Sequence, residues 1–176
     1  MPHERTNAVF IAGTDTGVGK TYVSCALLLA LRAKGLRAVG MKPVASGCMA
    51  TPAGLRNDDA LALIAASDPR PPYATCNPFA FIEPVSPHLA AAADRAEVTM
   101  APIQTAFACL ADSAEVVLVE GVGGWLAPLS PVLEANALPR TLGLPVILVV
   151  GLRLGCINHA LLTAEAIYRD GLALAG

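Results

Sequence analysis

A glycine-rich segment near the N-terminus has the composition of a phosphate-binding loop. Its glycines let successive backbone N–H groups turn towards an anion, and the helix that follows adds a partial positive charge. A lysine in this segment can reach the β- and γ-phosphates of a nucleotide, and the next hydroxyl can bind Mg²⁺. In order, the residues are Gly13, Thr14, Asp15, Thr16, Gly17, Val18, Gly19, Lys20 and Thr21.

The spacing in this segment is a variant of the strict phosphate-loop pattern. The strict pattern places its first glycine five positions before Gly19, where this chain has Thr14, and Gly13 lies one position earlier. An ordinary glycine-rich strand-to-helix turn is the alternative. The apolar run before the segment and the Ala- and Leu-rich run after it favour the phosphate loop, because they predict a strand and a helix.

Charged residues follow two other predicted strands. Lys42 comes directly after the run 36–41. Glu120 follows the run 116–119 and precedes Gly121. Open α/β sheets bind ligands at the carboxyl ends of their strands, so we expect both side chains at the same edge as the loop. There Glu120 can reach a magnesium ion beside the phosphates. The alternative for each is a hydrated charge at the end of a strand.

Two helix starts carry further candidate groups. Asp58 and Asp59 begin a predicted helix, where a carboxylate interacts favourably with the positive end of the helix dipole. Another predicted helix, 156–169, has free backbone N–H groups at its start, which form an anion site or are merely capped. The residues at that start are Gly155, Cys156, Ile157 and Asn158.

The pattern of runs predicts an α/β fold. Strands are expected at 8–12, 36–41, 116–119 and 146–150, and the last two are continuous β-branched runs typical of central parallel strands. Helices are expected between and after them, at 21–34, 58–66, 86–93, 99–111, near 137–142 and at 156–169. Segment 42–57 is expected to be a loop and 67–87 mostly irregular. We therefore predict a three-layer open parallel sheet with helices on both faces.

Composition limits the possible partners. The chain has 176 residues, 55% hydrophobic and 15% charged, with a net charge of −2 and no run of basic residues. These values predict one domain, no nucleic-acid partner, no membrane partner, and an oligomer. Five cysteines without close spacing predict neither a disulfide framework nor a zinc site, and segment 1–13 lacks the apolar core of a secretory signal. A cytoplasmic protein is expected.

Five ordered motifs carry a family resemblance. They are GTDTGVGKT at 13–21, KPVASG at 42–47, GLRNDDALAL at 54–63, VEGVGGW at 119–125 and LPVILVVGLRLGCINHALLTA at 144–164. Together they resemble the dethiobiotin synthetase family of phosphate-loop NTPases. The resemblance implies an ATP- and Mg²⁺-dependent ligase of biotin biosynthesis. Its substrates would be 7,8-diaminononanoate, CO₂ and ATP, and the product ureido ring would form through a carbamic-phosphoric anhydride.

The resemblance also implies roles for individual residues. Thr21, Asp59 and Glu120 would bind Mg²⁺, whereas Asp58 falls at a variable position. Lys20, Lys42 and Thr16 would act in catalysis, with Thr16 and Lys42 also touching the substrate, and Ser46 would contact the diamine. The amides of 155–158 would bind the substrate carboxylate from a neighbouring subunit, which implies a homodimer. The nucleotide would be bound by the residues of the loop, 13–21 except Thr16, together with Glu120 and Gly121.

Other functions share parts of this pattern. A partition-type ATPase usually has an additional lysine early in the loop, where this chain has Thr14, Asp15 and Thr16. A cobalamin-type amide synthetase is disfavoured by KPVASG and GCINHALL, and a non-catalytic regulator module by Lys20, Thr21, Asp59 and Glu120. Trp125 suits either the site or the core.

The last five residues are expected to begin another strand. In the family that this sequence resembles, the sheet continues past this point, and residues further along the chain form the adenine pocket. We therefore expect 1–176 to be a single phosphate-loop domain without its C-terminal part, with reduced stability and weak discrimination between nucleotide bases.

Overall fold

The computed structural model describes residues 7–176, and the segment 1–6, with His3, lies outside the described part. Four of its strands form a parallel sheet in the order β2-β7-β1-β8. This arrangement confirms the predicted α/β class. The strands are β1 (Asn7–Gly13), β2 (Ala38–Met41), β3 (Val44–Ala45), β4 (Met49–Thr51), β5 (Gly54–Arg56), β6 (Phe79–Ala80), β7 (Val116–Glu120) and β8 (Val146–Val149).

Helices follow the strands on both sides of the sheet. They are α1 (Lys20–Ala33), α2 (Asp58–Ala66), α3 (Tyr73–Cys76), α4 (Pro87–Ala93), α5 (Met100–Ser113), α6 (Ala137–Leu142) and α7 (Cys156–Arg169). The bounds of α2, α6 and α7 agree with the sequence prediction. Among residues 7–176, no helix is both long and apolar enough to cross a bilayer.

Alternation along the strands divides the core into two layers. Val117 and Val119 of β7 pack in one cluster with residues of α4, α5, α6 and α7. Leu118, between them, packs in a second cluster with residues of α1, α2 and α3. Because successive strand side chains point to opposite faces, each central strand must be apolar at every position. The three-layer prediction is therefore confirmed.

Two predicted irregular regions contain short elements. Segment 42–57, predicted as a loop, contains β3 and the hairpin of β4 and β5, and 67–87 contains α3 and β6. β3 pairs in parallel with β6, with Val44 opposite Phe79. Strands of two or three residues have no measurable periodicity, so the sequence pattern could not reveal them. The second strand is also shorter than predicted and begins at Ala38.

The chain after α7 returns to the sheet. Ala175 N–H donates to the carbonyl of Val146 at 2.7 Å, and Leu148 N–H donates to that of Gly176 at 2.8 Å. A parallel bridge joins Val146 and Leu174. Segment 172–176 thus pairs with β8 around a single bridge; the sequence predicted the start of a strand here but not its partner.

A glycine in β2 lets α2 approach the sheet closely. A Cβ atom at Gly40 would lie 2.9 Å from Leu63 Cβ and 3.1 Å from Leu28 Cδ1. Real Cβ atoms do not tolerate such distances without displacement of a neighbour. This close approach of α2 to β2 is consistent with the position of Asp59, at the start of the same helix, beside Lys42 just after β2.

Candidate functional site

A cleft of about 350 Å³ opens at the carboxyl edge of the parallel sheet. It collects residues from the loop after β1 and from segments near β2, α2 and β7. The lining residues are Thr16, Gly17, Gly19, Lys20, Thr21, Lys42, Ala45, Ser46, Asn57, Asp59, Glu120, Val122 and Gly123. The structure thus brings all six residues predicted for catalysis and metal binding into one cleft.

The loop between β1 and α1 places a lysine at the N-terminus of α1. Gly19, the residue before α1, has φ of 98°, a left-handed conformation that glycine adopts without steric cost. Lys20 follows it, and its Nζ donates to the carbonyl of Asp15 at 2.9 Å and to that of Gly123 at 2.8 Å. Burial, with a smaller effect of Lys42, lowers the pKa of Lys20 to about 8. A phosphate anion in the loop would offset both effects.

Lys42 joins two carboxylates from different elements. Its Nζ lies 2.9 Å from Asp59 Oδ2 and 2.7 Å from Glu120 Oε1. Burial alone would lower the pKa of Lys42, but Glu120 and Asp59 outweigh burial and raise it. Burial alone would raise the pKa of Asp59, and Lys42 instead lowers it. At neutral pH Lys42 is therefore an ammonium group and Asp59 a carboxylate.

Glu120 has one oxygen shared between two donors and one oxygen without any. Thr21 Oγ1 donates to Glu120 Oε1 at 2.8 Å, the same oxygen that accepts from Lys42. Glu120 Oε2 is buried and has no hydrogen-bond partner. Buried polar atoms are rarely left unpaired, so this oxygen is a group that a bound cation would satisfy.

The oxygen ligands at this point fit magnesium. A threonine hydroxyl and two carboxylates are hard oxygen donors, which Mg²⁺ prefers, and nucleotide phosphates and water would complete an octahedron. Within residues 7–176 no group of three or more His, Cys, Asp or Glu side chains could hold a metal. A metal here would thus need oxygen atoms of a nucleotide or of water beside the candidate protein ligands in the cleft, which are Thr21, Asp59 and Glu120.

The other predicted loop residues have distinct positions. Thr14 N–H donates to the carbonyl of Val149 at 3.1 Å, which ties the loop to β8. Asp15 lies outside the cleft lining; it accepts from Thr16 N–H at 2.7 Å and from Arg153 at 2.8 Å. The Thr16 N–H bond and then the Arg153 bond lower the pKa of Asp15. Val18 packs against the backbone near residue 151.

Two predicted positions stand apart from the cleft. Asp58 is exposed on α2, whereas Asp59 faces Lys42. The start of α7, from Gly155 to Asn158, does not line the cleft of this chain, and Ile157 is 74% exposed. Its neighbours Leu152 and Leu154 are also almost fully exposed. An apolar surface therefore surrounds this helix start.

Trp125 belongs to the core. Its indole N–H donates to Asp170 Oδ2 at 2.9 Å, and its ring meets Phe10 edge-on with centroids 6.3 Å apart. The side chain lies in the larger core cluster and does not line the cleft. This position resolves the alternative that the sequence left open.

Sequence reasoning missed three residues that support the site. Asn57 is the N-cap of α2, and its Oδ1 accepts from Ala60 N–H at 3.2 Å. An asparagine immediately before two acids at a helix start is a recognisable capping signal. Tyr73 and Asn77 lie in the segment predicted to be irregular, and no sequence pattern indicated that they contact the site.

Comparison with known proteins identifies similar sequences over nearly the whole chain. The sequence profile of a family described as an AAA domain matches residues 7–176. The chain is 63% identical to the ATP-dependent dethiobiotin synthetase BioD of Xanthomonas euvesicatoria over 169 residues, which are 96% of this chain and 75% of that protein. It is 54% identical to the protein of the same name from Xylella fastidiosa, over 97% of this chain and 75% of that protein.

A solved structure shows the same type of fold. The kinase domain of Escherichia coli tyrosine kinase ETK matches with a TM-score of 0.55 at 16% identity, over 97% of this chain and 66% of that one. At this identity the match concerns the fold alone.

The buried ion pair predicts a specific stability pattern. Lys42→Met leaves Glu120 buried without its cation, so we expect the free energy of unfolding to fall by about 3–5 kcal/mol. Adding Glu120→Gln removes the stranded charge and should recover most of this loss. Urea denaturation followed by circular dichroism at neutral pH measures both. A double variant that is no more stable than Lys42→Met would contradict the pairing.

Proposed function

Because this chain belongs to the family of ATP-dependent dethiobiotin synthetases, which are ligases of biotin biosynthesis, we propose that it converts 7,8-diaminononanoate and CO₂ to dethiobiotin with ATP. The observation that carries the proposal is the position of Lys42. Its ammonium group lies between Asp59 and Glu120, in the same cleft as the phosphate loop. A fixed buried cation at this place would neutralise the charge of a reacting carbamate and phosphate.

The phosphate loop would hold the nucleotide. We assign its backbone N–H groups and the ammonium of Lys20 to the β- and γ-phosphates, where their charge is neutralised during transfer. Glu120 and Gly121 would complete the nucleotide site from the end of β7. The loop residues assigned to the nucleotide are Gly13, Thr14, Asp15, Gly17, Val18, Gly19, Lys20 and Thr21.

The proposed reaction has three bond-forming steps. One amine of the substrate adds to CO₂ and loses a proton, which gives a carbamate. A carbamate oxygen attacks the γ-phosphorus of ATP, and ADP leaves. The second amine then attacks the carbonyl carbon of the mixed anhydride and loses a proton, phosphate leaves with the transferred oxygen, and the ureido ring closes.

Positioning is the main contribution of the protein to this chemistry. Lys42 and Lys20 would neutralise the carbamate and the transferring phosphoryl group, because this type of transfer depends on charge and alignment. Thr16 and Ser46 line the cleft and would contact the substrate. No side chain needs to form a covalent bond with it.

A magnesium ion fits the proposal. Thr21, Asp59 and Glu120 would hold it, and the unpaired Glu120 Oε2 supports this assignment. When bound, the metal would supply positive charge to the transferring phosphoryl group.

A homodimer would complete the substrate site. The backbone amides of one subunit are proposed to bind the carboxylate of the substrate that lies in the cleft of the other subunit. These amides belong to Gly155, Cys156, Ile157 and Asn158. The exposed apolar side chains at this helix start support burial against a second copy.

All five cysteines are unpaired, which is consistent with the cytosol as the proposed compartment.

The first prediction concerns turnover. The protein should release phosphate from ATP only when 7,8-diaminononanoate and bicarbonate are both present. Lys20→Ala should lower kcat/KM by at least about a hundredfold, because a cation at the phosphates is lost. Lys34→Ala, an exposed lysine just after the same helix, is the control and should stay normal. Phosphate release that does not depend on 7,8-diaminononanoate and bicarbonate would contradict the proposal.

The second prediction concerns the metal. Asp59→Asn and Glu120→Gln should each raise the Mg²⁺ concentration for half-maximal activity by about tenfold or more, because each removes a charged oxygen ligand. Asp58→Asn, one residue away and exposed, should leave it unchanged. If all three variants required the same Mg²⁺ concentration as the parent, the ligand assignment would be wrong.

The third prediction concerns the subunit interface. Ile157→Glu places a charge in the proposed apolar interface and should shift the protein to a monomer with little turnover. Leu89→Glu alters a leucine that is 54% exposed on α4 and should not. Light scattering and phosphate release measure the two effects. A fully active monomer of the parent protein would contradict the shared site.

A further inference from the structure

We propose that Tyr73 and Asn77 are positioning residues that fix Lys42 and Asp59 relative to each other. This inference rests on the proposed function, because it concerns the geometry of the same cleft. Neither side chain lines the cleft, so each would act through the residues that it holds. Three bonding steps carry the argument.

Asn77 holds the backbone of Lys42. Its side chain is buried, with the residue 3% exposed. Nδ2 donates to the carbonyl of Lys42 at 2.7 Å and to that of Phe79 at 3.0 Å. Both amide hydrogens are therefore used, and they connect the end of β2 to the start of β6.

Tyr73 connects Asn77 to the start of α2. Its hydroxyl donates to Asn77 Oδ1 at 2.9 Å and accepts from the backbone N–H of Asn57 at 2.8 Å. Asn57 caps α2, and Asp59 is the second residue of that helix. One hydroxyl group thus links the anchor of Lys42 to the anchor of Asp59.

The tyrosine is itself held in place. The guanidinium carbon of Arg56 lies 4.2 Å from the centroid of the Tyr73 ring. Burial raises the pKa of Tyr73, so the hydroxyl remains protonated at neutral pH and can donate to Asn77. Backbone bonding adds a further tie, because Lys42 N–H donates to the carbonyl of Cys76, in the same short helix, at 2.8 Å.

The link matters because phosphoryl transfer depends on precise placement. Lys42 Nζ and Asp59 Oδ2 lie 2.9 Å apart, and both would face the reacting groups. Without the Tyr73 hydroxyl, Asn77 Oδ1 and Asn57 N–H lose their partner, and the two anchors can move independently. Displacements well below 1 Å are enough to reduce turnover.

Tyr73→Phe tests the inference while it keeps the ring. We expect kcat to fall by about tenfold and the Mg²⁺ requirement to rise several-fold. ATP affinity in EDTA, followed with a fluorescent ATP analogue, should stay unchanged because the phosphate loop has no bond to Tyr73. Tyr168→Phe, on an exposed tyrosine of α7, is the control and should change nothing.

A double-mutant comparison separates positioning from general damage. In an Asp59→Asn background, adding Tyr73→Phe should lower kcat by less than about twofold, because effects of coupled residues are not additive. A full additional tenfold loss, or a parallel loss of ATP affinity in EDTA, would overturn the positioning role. Normal kcat and Mg²⁺ dependence in a folded Tyr73→Phe protein would also overturn it.

Two further measurements keep the test decisive. If Tyr73→Phe does not fold, Arg56→Met removes the cation over the ring, together with a bond from the guanidinium to the carbonyl of Leu55, and should raise the Mg²⁺ requirement by about twofold. No change in that variant would then refute the inference. A parent protein without diamine-dependent phosphate release would instead refute the proposed function, so the two failures are distinguishable.

Discussion

The buried ammonium group of Lys42 is the interaction on which the site depends. It lies 2.9 Å from Asp59, on helix α2, and 2.7 Å from Glu120, at the end of strand β7 of the sheet. The position of this group follows from strand order. β2 pairs with β7 so that Met41, the last residue of β2, lies opposite Val119. The next residues along the chain are Lys42, just after β2, and Glu120, the last residue of β7. A buried charge is stable only with such a partner.

The same glutamate connects the lysine to the phosphate loop. Thr21, in the first turn of α1, donates to Glu120, and β1 lies between β7 and β8. The Lys20 ammonium group donates to the carbonyl of Gly123, which lies three residues after Glu120 at the end of β7. The loop and the end of β7 therefore form one bonded unit. A nucleotide bound at the loop would lie directly beside the carboxylates and Lys42.

Sequence patterns predicted the parts of this arrangement that depend on local chemistry. The continuous run 116–119, the acid pair at the start of α2 and the glycine-rich loop are each local, so strand, helix and phosphate-loop predictions were possible. The parallel order then implied that Lys42 and Glu120 share an edge. The bonds of Asn77 and Tyr73 could not be predicted, because they join segments that meet only in the folded chain. The short strands of 42–57 were missed for a different reason, because two or three residues are too few to show a periodicity.

The fate of one oxygen atom tests the central claim most directly, namely that this cleft transfers a phosphoryl group to a carbamate. The protein would be mixed with ATP, Mg²⁺, 7,8-diaminononanoate and ¹⁸O-labelled bicarbonate, and the released phosphate analysed by mass spectrometry. If a carbamate oxygen attacks the γ-phosphorus, phosphate leaves with one labelled oxygen when the ring closes. Phosphate without label, in a reaction that still forms the ring, would show that water or another nucleophile takes the phosphoryl group and would contradict the account.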